Sequence, residues 1–301
     1  MSMLDDFLRQ FINPYYIQVL MLLGIYLIAA LGLHLITGVT GQLSFGHAAF
    51  MSVGAYGAAL INLHLDLPFL ICLLAGGLLA ALAGVFVGFP SMRLAGDYLG
   101  IATLGFGEIL RVVFMNLEIT GGARGLAGIP RETSLLTIYV LVILTIFALH
   151  RLQNSRFGRA LVAIREDEIA AECMGIKSLW YKVGAFAIGS FFAGIAGGLY
   201  AHLLQYLNPG DFGFARSFEL LCFVVLGGLG SIPGTVLGTT ILTLAPEVLR
   251  FSSEYRMMMY GLLMVIMMIF RPRGLLGGVD LMRLVKRVLG SRRRGTATPA
   301  G

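Results

Sequence analysis

The chain has 301 residues, of which 57% are hydrophobic and 13% charged, and it carries a formal net charge of +6. A soluble domain ordinarily holds about 25% charged residues, so this composition argues against a water-soluble fold, which would lack the side chains to cover its surface. The positive charge lies in a few loops and the tail, as the positive-inside rule expects of a membrane protein, and does not point to nucleic acid.

Cys72, Cys173 and Cys222 are scattered and form no CxxC. That spacing argues against a disulfide framework or a zinc site, so neither a metal nor a cofactor is expected. At the N-terminus, Asp5 and Asp6 spoil the basic stretch a signal peptide needs, and the first span is expected to remain in the mature protein.

A helix that crosses a bilayer needs roughly 20 apolar residues. After an N-terminal segment at 1–16, the predicted spans are Ile17–Ile36, Leu43–Asn62, Pro68–Phe89 and Tyr98–Asn116. Thr133–Leu149, Val183–Leu207, Leu220–Pro246 and Met257–Phe270 follow. The expected fold is an all-α polytopic membrane bundle of about eight hydrophobic segments, filling 17–277, with broken or re-entrant helices in each half. Two stretches are aqueous: a basic loop at about 153–182, and a basic tail at 278–301. The Lys/Arg bias places both in the cytoplasm. Counting crossings back from the loop puts the N-terminus outside, unless Leu43–Asn62 re-enters, which flips the assignment.

Three features point to function. The first is a pair of glycine-rich interruptions inside apolar runs. One is Gly41, Gln42, Leu43, Ser44, Phe45, Gly46 and His47; the other runs Gly227, Gly228, Leu229, Gly230, Ser231, Ile232, Pro233 and Gly234. Irregular backbone at membrane depth survives only inside protein or beside water, so these segments are expected to line a translocation path. Tight helix packing through glycine is the competing explanation. His47 fits a packing role better than a ligand role. The second feature is Glu108 and Arg111, three residues apart on one span and able to pair. They are expected to hold helices together more than to touch substrate.

The third feature is the basic loop. Glu166, Asp167 and Glu168 form an acidic first turn, Ile169 and Cys173 stand four apart, and Gly175 suits a C-terminal cap. A short amphipathic helix here is a docking element by shape.

At this point the residues resemble a known family. Gly158–Gly175, centred on Glu168, Ile169, Ala170, Ala171 and Glu172, resembles the coupling segment of ABC importer permeases. Thr40–Ala48 (TGQLSFGHA), Gly105–Arg111 (GFGEILR) and Thr120–Pro130 (TGGARGLAGIP) are similar to the branched-chain amino acid permease family, in its M-type subunit. Val225–Ser231 (VLGGLGS) and Phe270–Gly274 (FRPRG) fit the same subunit.

The resemblance implies an importer permease for leucine, isoleucine and valine in the bacterial inner membrane. It implies a homologous partner permease, two cytoplasmic ABC ATPase subunits, and a periplasmic or lipid-anchored binding protein. Gly158, Arg159, Ile164, Arg165, Glu166, Glu168, Ile169, Ala170, Ala171, Glu172 and Gly175 then become the ATPase-coupling set. No GxxxxGK[ST] occurs, so this chain is not expected to bind ATP through a P-loop or to act as an enzyme. Permeases for urea or short-chain amides look alike. An ion-coupled secondary transporter or channel would use broken helices too, but would have no use for the docking loop.

Overall fold

The computed structural model describes residues 14–92, 94, 96–248 and 261. The expected span Met257–Phe270, the basic tail and most of the N-terminal segment lie outside the described residues. The described chain is helical apart from one two-stranded pairing, Leu126 with Leu207 and Ala127 with Tyr206.

Helix α1 (Pro14–Leu33) is apolar apart from the exposed Gln18 near its start, and from Leu23 onward it is buried on every side. A helix that is hydrophobic all round belongs inside a bundle, and α1 is the central element here. It passes into a π-helical turn, His34–Val39, also wholly buried. Next come α2 (His47–Leu65), α3 (Phe69–Ser91), α4 (Asp97–Asn116) and α5 (Leu135–Gln153). The basic loop forms α6 (Arg156–Glu166) and α7 (Glu168–Cys173). Then follow α8 (Ser178–Leu204), α9 (Phe214–Gly227) and α10 (Ile232–Val248).

Size, not polarity, orients these helices. On α3 the ridge Leu70, Leu74, Leu78, Leu82 and Phe86 is exposed, while Gly76, Gly77, Ala80 and Gly84 are buried. Lipid tails are as apolar as leucine, so association depends on close backbone approach through small residues. At Gly54 of α2, a Cβ would lie 2.2 Å from Gly194 Cα on α8; at Gly197 it would lie 1.9 Å from Met51 O. The glycines therefore weld α2, α3 and α8 into one core.

Helices α1 and α5 run in the same direction. Tyr139 donates to Leu20 O near their starts, and Gln153 meets His34 Nε2 at 3.0 Å near their ends. Pro14 therefore lies at the end of the bundle opposite α6 and α7. The segment Leu43–Asn62 crosses and does not turn back: Gly41 sits against Arg165 at the loop end, while Tyr56 reaches Leu207 at the far end.

Among the described residues, six helices are long and apolar enough to cross a membrane. The apolar run Leu220–Pro246 is not one of them, because it is folded into the hairpin α9–α10. The loop also differs from expectation. It holds two helices, and Glu166 ends the first instead of starting the second. Asp167 separates them as the α7 N-cap, accepting from Ala170 N at 3.0 Å.

Candidate translocation path and docking loop

After the π turn the chain unwinds. Thr40 Oγ1 donates to Leu35 O, and Gly41 takes φ +76°, a left-handed conformation that favours glycine. Residues 40–46 then climb through the bundle without helical bonding, and α2 begins only at His47. Its start lies beside the C-terminal part of α1, where His47 Nε2 donates to Ala29 O at 3.0 Å. Helix starts leave backbone N–H groups unsatisfied. Here side chains from two other helices supply acceptors: Phe45 N donates to Thr103 Oγ1 of α4 at 3.0 Å, and Ala48 N to Ser217 Oγ of α9 at 3.1 Å.

The same stretch concentrates unsatisfied side chains. Thr37 Oγ1, Gln42 Oε1, Ser44 Oγ and His47 Nδ1 are buried and have no hydrogen-bond partner among the described residues. Buried polar groups are ordinarily paired, so such a cluster needs a reason. Gln42 uses its amide on Met92 Sδ, which leaves its carbonyl unmatched.

The second interruption differs in kind. Gly228–Ser231 forms a tight turn at the loop end, and α9 and α10 pack back to back through glycine. A Cβ at Gly227 would lie 2.2 Å from Gly234 O, and one at Gly238 would lie 2.4 Å from Phe223 O. Ser231 Oγ accepts from Gly234 N and so starts α10. The two interruptions meet: a Cβ at Gly38 would be 3.0 Å from Gly230 N. Beside them, Gln153 Nε2 donates to His34 Nε2. His34 Nδ1–H then donates to Thr235 Oγ1 at 3.0 Å, and that hydroxyl donates to Ser231 O.

Glu108 and Arg111 lie 3.0 Å apart on α4. The Nε–H is misaligned, so the contact is an ion pair without a hydrogen bond. Their side chains are 38% and 36% exposed in this chain by itself. A second pair, Arg216 and Glu219 on α9, was not anticipated. It is far more enclosed, at 19% and 11% exposed, with 2.7 Å between the groups. Arg216 also donates to Tyr26 Oη at 2.7 Å and lies over that ring. Its i,i+3 spacing was visible, but its partner on α1 is 190 residues away.

In the loop, α6 buries Gly158, Ala160, Leu161 and Ile164 against the bundle. A Cβ at Gly158 would strike Gln153 O at 2.3 Å. Arg159 donates to Asn154 O. Helix α7 is largely exposed: Ile169 is 77% and the following Met174 84% exposed, Ala170 is exposed, and Ala171 is buried. Glu168 pairs with Lys182, and Glu172 accepts from Ser178 Oγ. These carboxylates therefore brace the loop on its own chain. Gly175 closes α7 with φ +86°.

Residues 15–268 match the family described as the permease component of the branched-chain amino acid transport system. The chain belongs to that family. It is 41% identical to the high-affinity branched-chain amino acid transport system permease protein LivM of Escherichia coli, over 84% of this chain and 68% of that protein. The probable permease LivM of Methanocaldococcus jannaschii is 28% identical over 86% of this chain and 92% of its own. LivH of Escherichia coli is 27% identical over 84% and 91%. No solved structure matches.

In this permease the two interruptions expected from sequence do converge, but unequally. Gly41, Gln42, Ser44, Phe45, Gly46 and His47 form an unwound strand inside the bundle. Gly228, Gly230 and Ser231 form a turn at its edge, and Gly227 and Gly234 pack against each other in the helices on either side. Thr103, Ser217 and His34, which complete the first interruption, carried no sequence signal beyond being polar residues in apolar runs.

Proposed function

We propose that this permease carries branched-chain amino acids inward across the bacterial cytoplasmic membrane, driven by ATPases it does not itself contain. The observation that carries this reading is the unwound strand 40–46 with its cluster of unpartnered polar atoms. Irregular backbone at membrane depth persists where it lines a cavity, and discontinuous helices supply substrate-binding groups in transporters. A zwitterionic amino acid suits such a place, because a helix start favours a carboxylate and free carbonyls favour an ammonium.

The rest of the machine follows from family membership. A LivH-type partner permease completes the path, two cytoplasmic ATPases dock under α6 and α7, and a periplasmic or lipid-anchored binding protein delivers substrate. With the loop in the cytoplasm, Pro14 lies on the outer side, and the tail is assigned to the cytoplasm by its basic residues. The exposed apolar side chains Ile169 and Met174 provide anchors for helix-in-groove docking.

Reconstitution in liposomes tests this. The complete complex should take up leucine, isoleucine or valine only with ATP and binding protein, and a cysteine at Ala170 should cross-link to the ATPase. Ion-driven uptake by this chain alone, or a position 170 freely labelled by a bulky maleimide in the active complex, contradicts the reading.

A further inference from the structure

Arg165 sits on the last turn of α6, where the docking loop touches both interruptions. Its Nη1 donates to Gly38 O, in the π turn that ends α1, at 2.7 Å. Its stem fills the space a side chain at Gly41 would need: a Cβ there would lie 2.6 Å from Arg165 Cγ. A Cβ at Gly230 would lie 3.0 Å from Arg165 Nη1 and 3.6 Å from Gly38 O. The side chain thus lies between the unwound strand and the α9–α10 turn, with 36% of it exposed. Glu166 also faces the guanidinium, at a looser 3.5 Å.

This geometry explains more than backbone conformation at Gly41 and Gly230. Both have positive φ, but both also lie where any side chain would displace Arg165. A guanidinium at a helix C-terminus, on a free carbonyl, is favourable and directional. Helix α6 is held as a lever by its buried Leu161 and Ile164 and by the Ser155 cap on Gly158 N.

We infer that Arg165 is the positioning residue through which movement of the docking loop reaches both interruptions at once. When the ATPases shift α6, the guanidinium carries Gly38 O with it and releases or clamps the Gly230 turn. Arg165 therefore belongs to the inner, path-facing side of the loop and not to its ATPase-facing side. The inference rests on the importer reading, and uptake by the wild-type complex checks that reading separately.

The test uses Arg165→Met and Arg165→Lys in the complete reconstituted complex. A cysteine replaces the exposed Leu229 of the second interruption as a reporter, with the exposed Cys173 replaced by serine. With Arg165→Met, the ATPases should still co-purify, and amino acid moved per ATP hydrolysed should fall roughly tenfold, the effect of losing one charge-assisted hydrogen bond that biases a two-state element. Arg165→Lys keeps one cationic donor for Gly38 O but has no second arm to face Glu166, so it should restore the ratio only in part. In wild type, ATP should change the rate at which the cysteine reacts with a water-soluble maleimide. That response should shrink with Lys and vanish with Met. An unchanged ratio of transport to hydrolysis with only the yield reduced overturns the inference, as does an ATP response that persists in full. If the Met variant does not assemble, the Lys variant decides by the same two readouts.

Discussion

The two ion pairs show how far environment separates residues of the same type and spacing. Glu108–Arg111 lies on an open face of a membrane span, whereas Arg216–Glu219 is enclosed and further tied to Tyr26. Removing one partner of an enclosed pair strands a charge, at a typical cost of about 3–5 kcal/mol, while a long side chain on an open face can turn toward the membrane surface. Arg216→Gln or Glu219→Gln should therefore lower folded yield and thermal stability in detergent well below the levels seen with Glu108→Gln or Arg111→Gln. Equal losses at both pairs would mean that α4 is covered as tightly in the assembled complex as α9 is here. The contrast was not legible in sequence. Spacing announces that a pair can form; burial depends on a tyrosine on a distant helix. The orphaned atoms of Thr37, Gln42, Ser44 and His47 were half legible. The glycines marked their segment, but Ser44 and Gln42 stand out only once the strand is seen to pass through the bundle.

Among the helices, glycine has two distinct uses that sequence does not separate. Gly54, Gly194 and Gly197 let backbones touch, while Gly105 has nothing within 4 Å of the place its Cβ would take. Overpacking a tight contact costs about 1–3 kcal/mol, whereas a glycine in open helix is worth roughly 0.5–1 kcal/mol less than alanine. Gly197→Ala should therefore lower the unfolding temperature of the purified permease, and Gly105→Ala should leave it unchanged or raise it. The opposite order would remove close approach as the cause of the α2–α3–α8 weld. Most spans were legible because their apolar runs exceed the width of a bilayer. The hairpin α9–α10 was not, because hydropathy reads a folded apolar run and a crossing one alike. The division of the loop into α6 and α7 was missed for a local reason. Asp167 accepts from Ala170 N, so the acidic cluster ends one helix and caps the next.

At the scale of the whole molecule, ATP-driven transport requires a movement at α7 to reach an unwound strand inside the bundle. The route is short: α7 adjoins α6, α6 carries Arg165, and Arg165 touches both interruptions. The central claim is that residues 40–46 form the wall of the path, and Ser44 tests it most directly. Ser44 is fully buried, with an unpartnered Oγ. In a complex with the exposed Cys173 replaced by serine, the buried Cys72 and Cys222 serve as internal controls. A cysteine at position 44 should react with a small water-soluble thiosulfonate only during turnover with ATP and loaded binding protein, and uptake should then stop while Cys72 and Cys222 remain unmodified. A cysteine at 44 that stays unreactive throughout turnover, or one whose modification leaves uptake unchanged, would contradict the path along this strand.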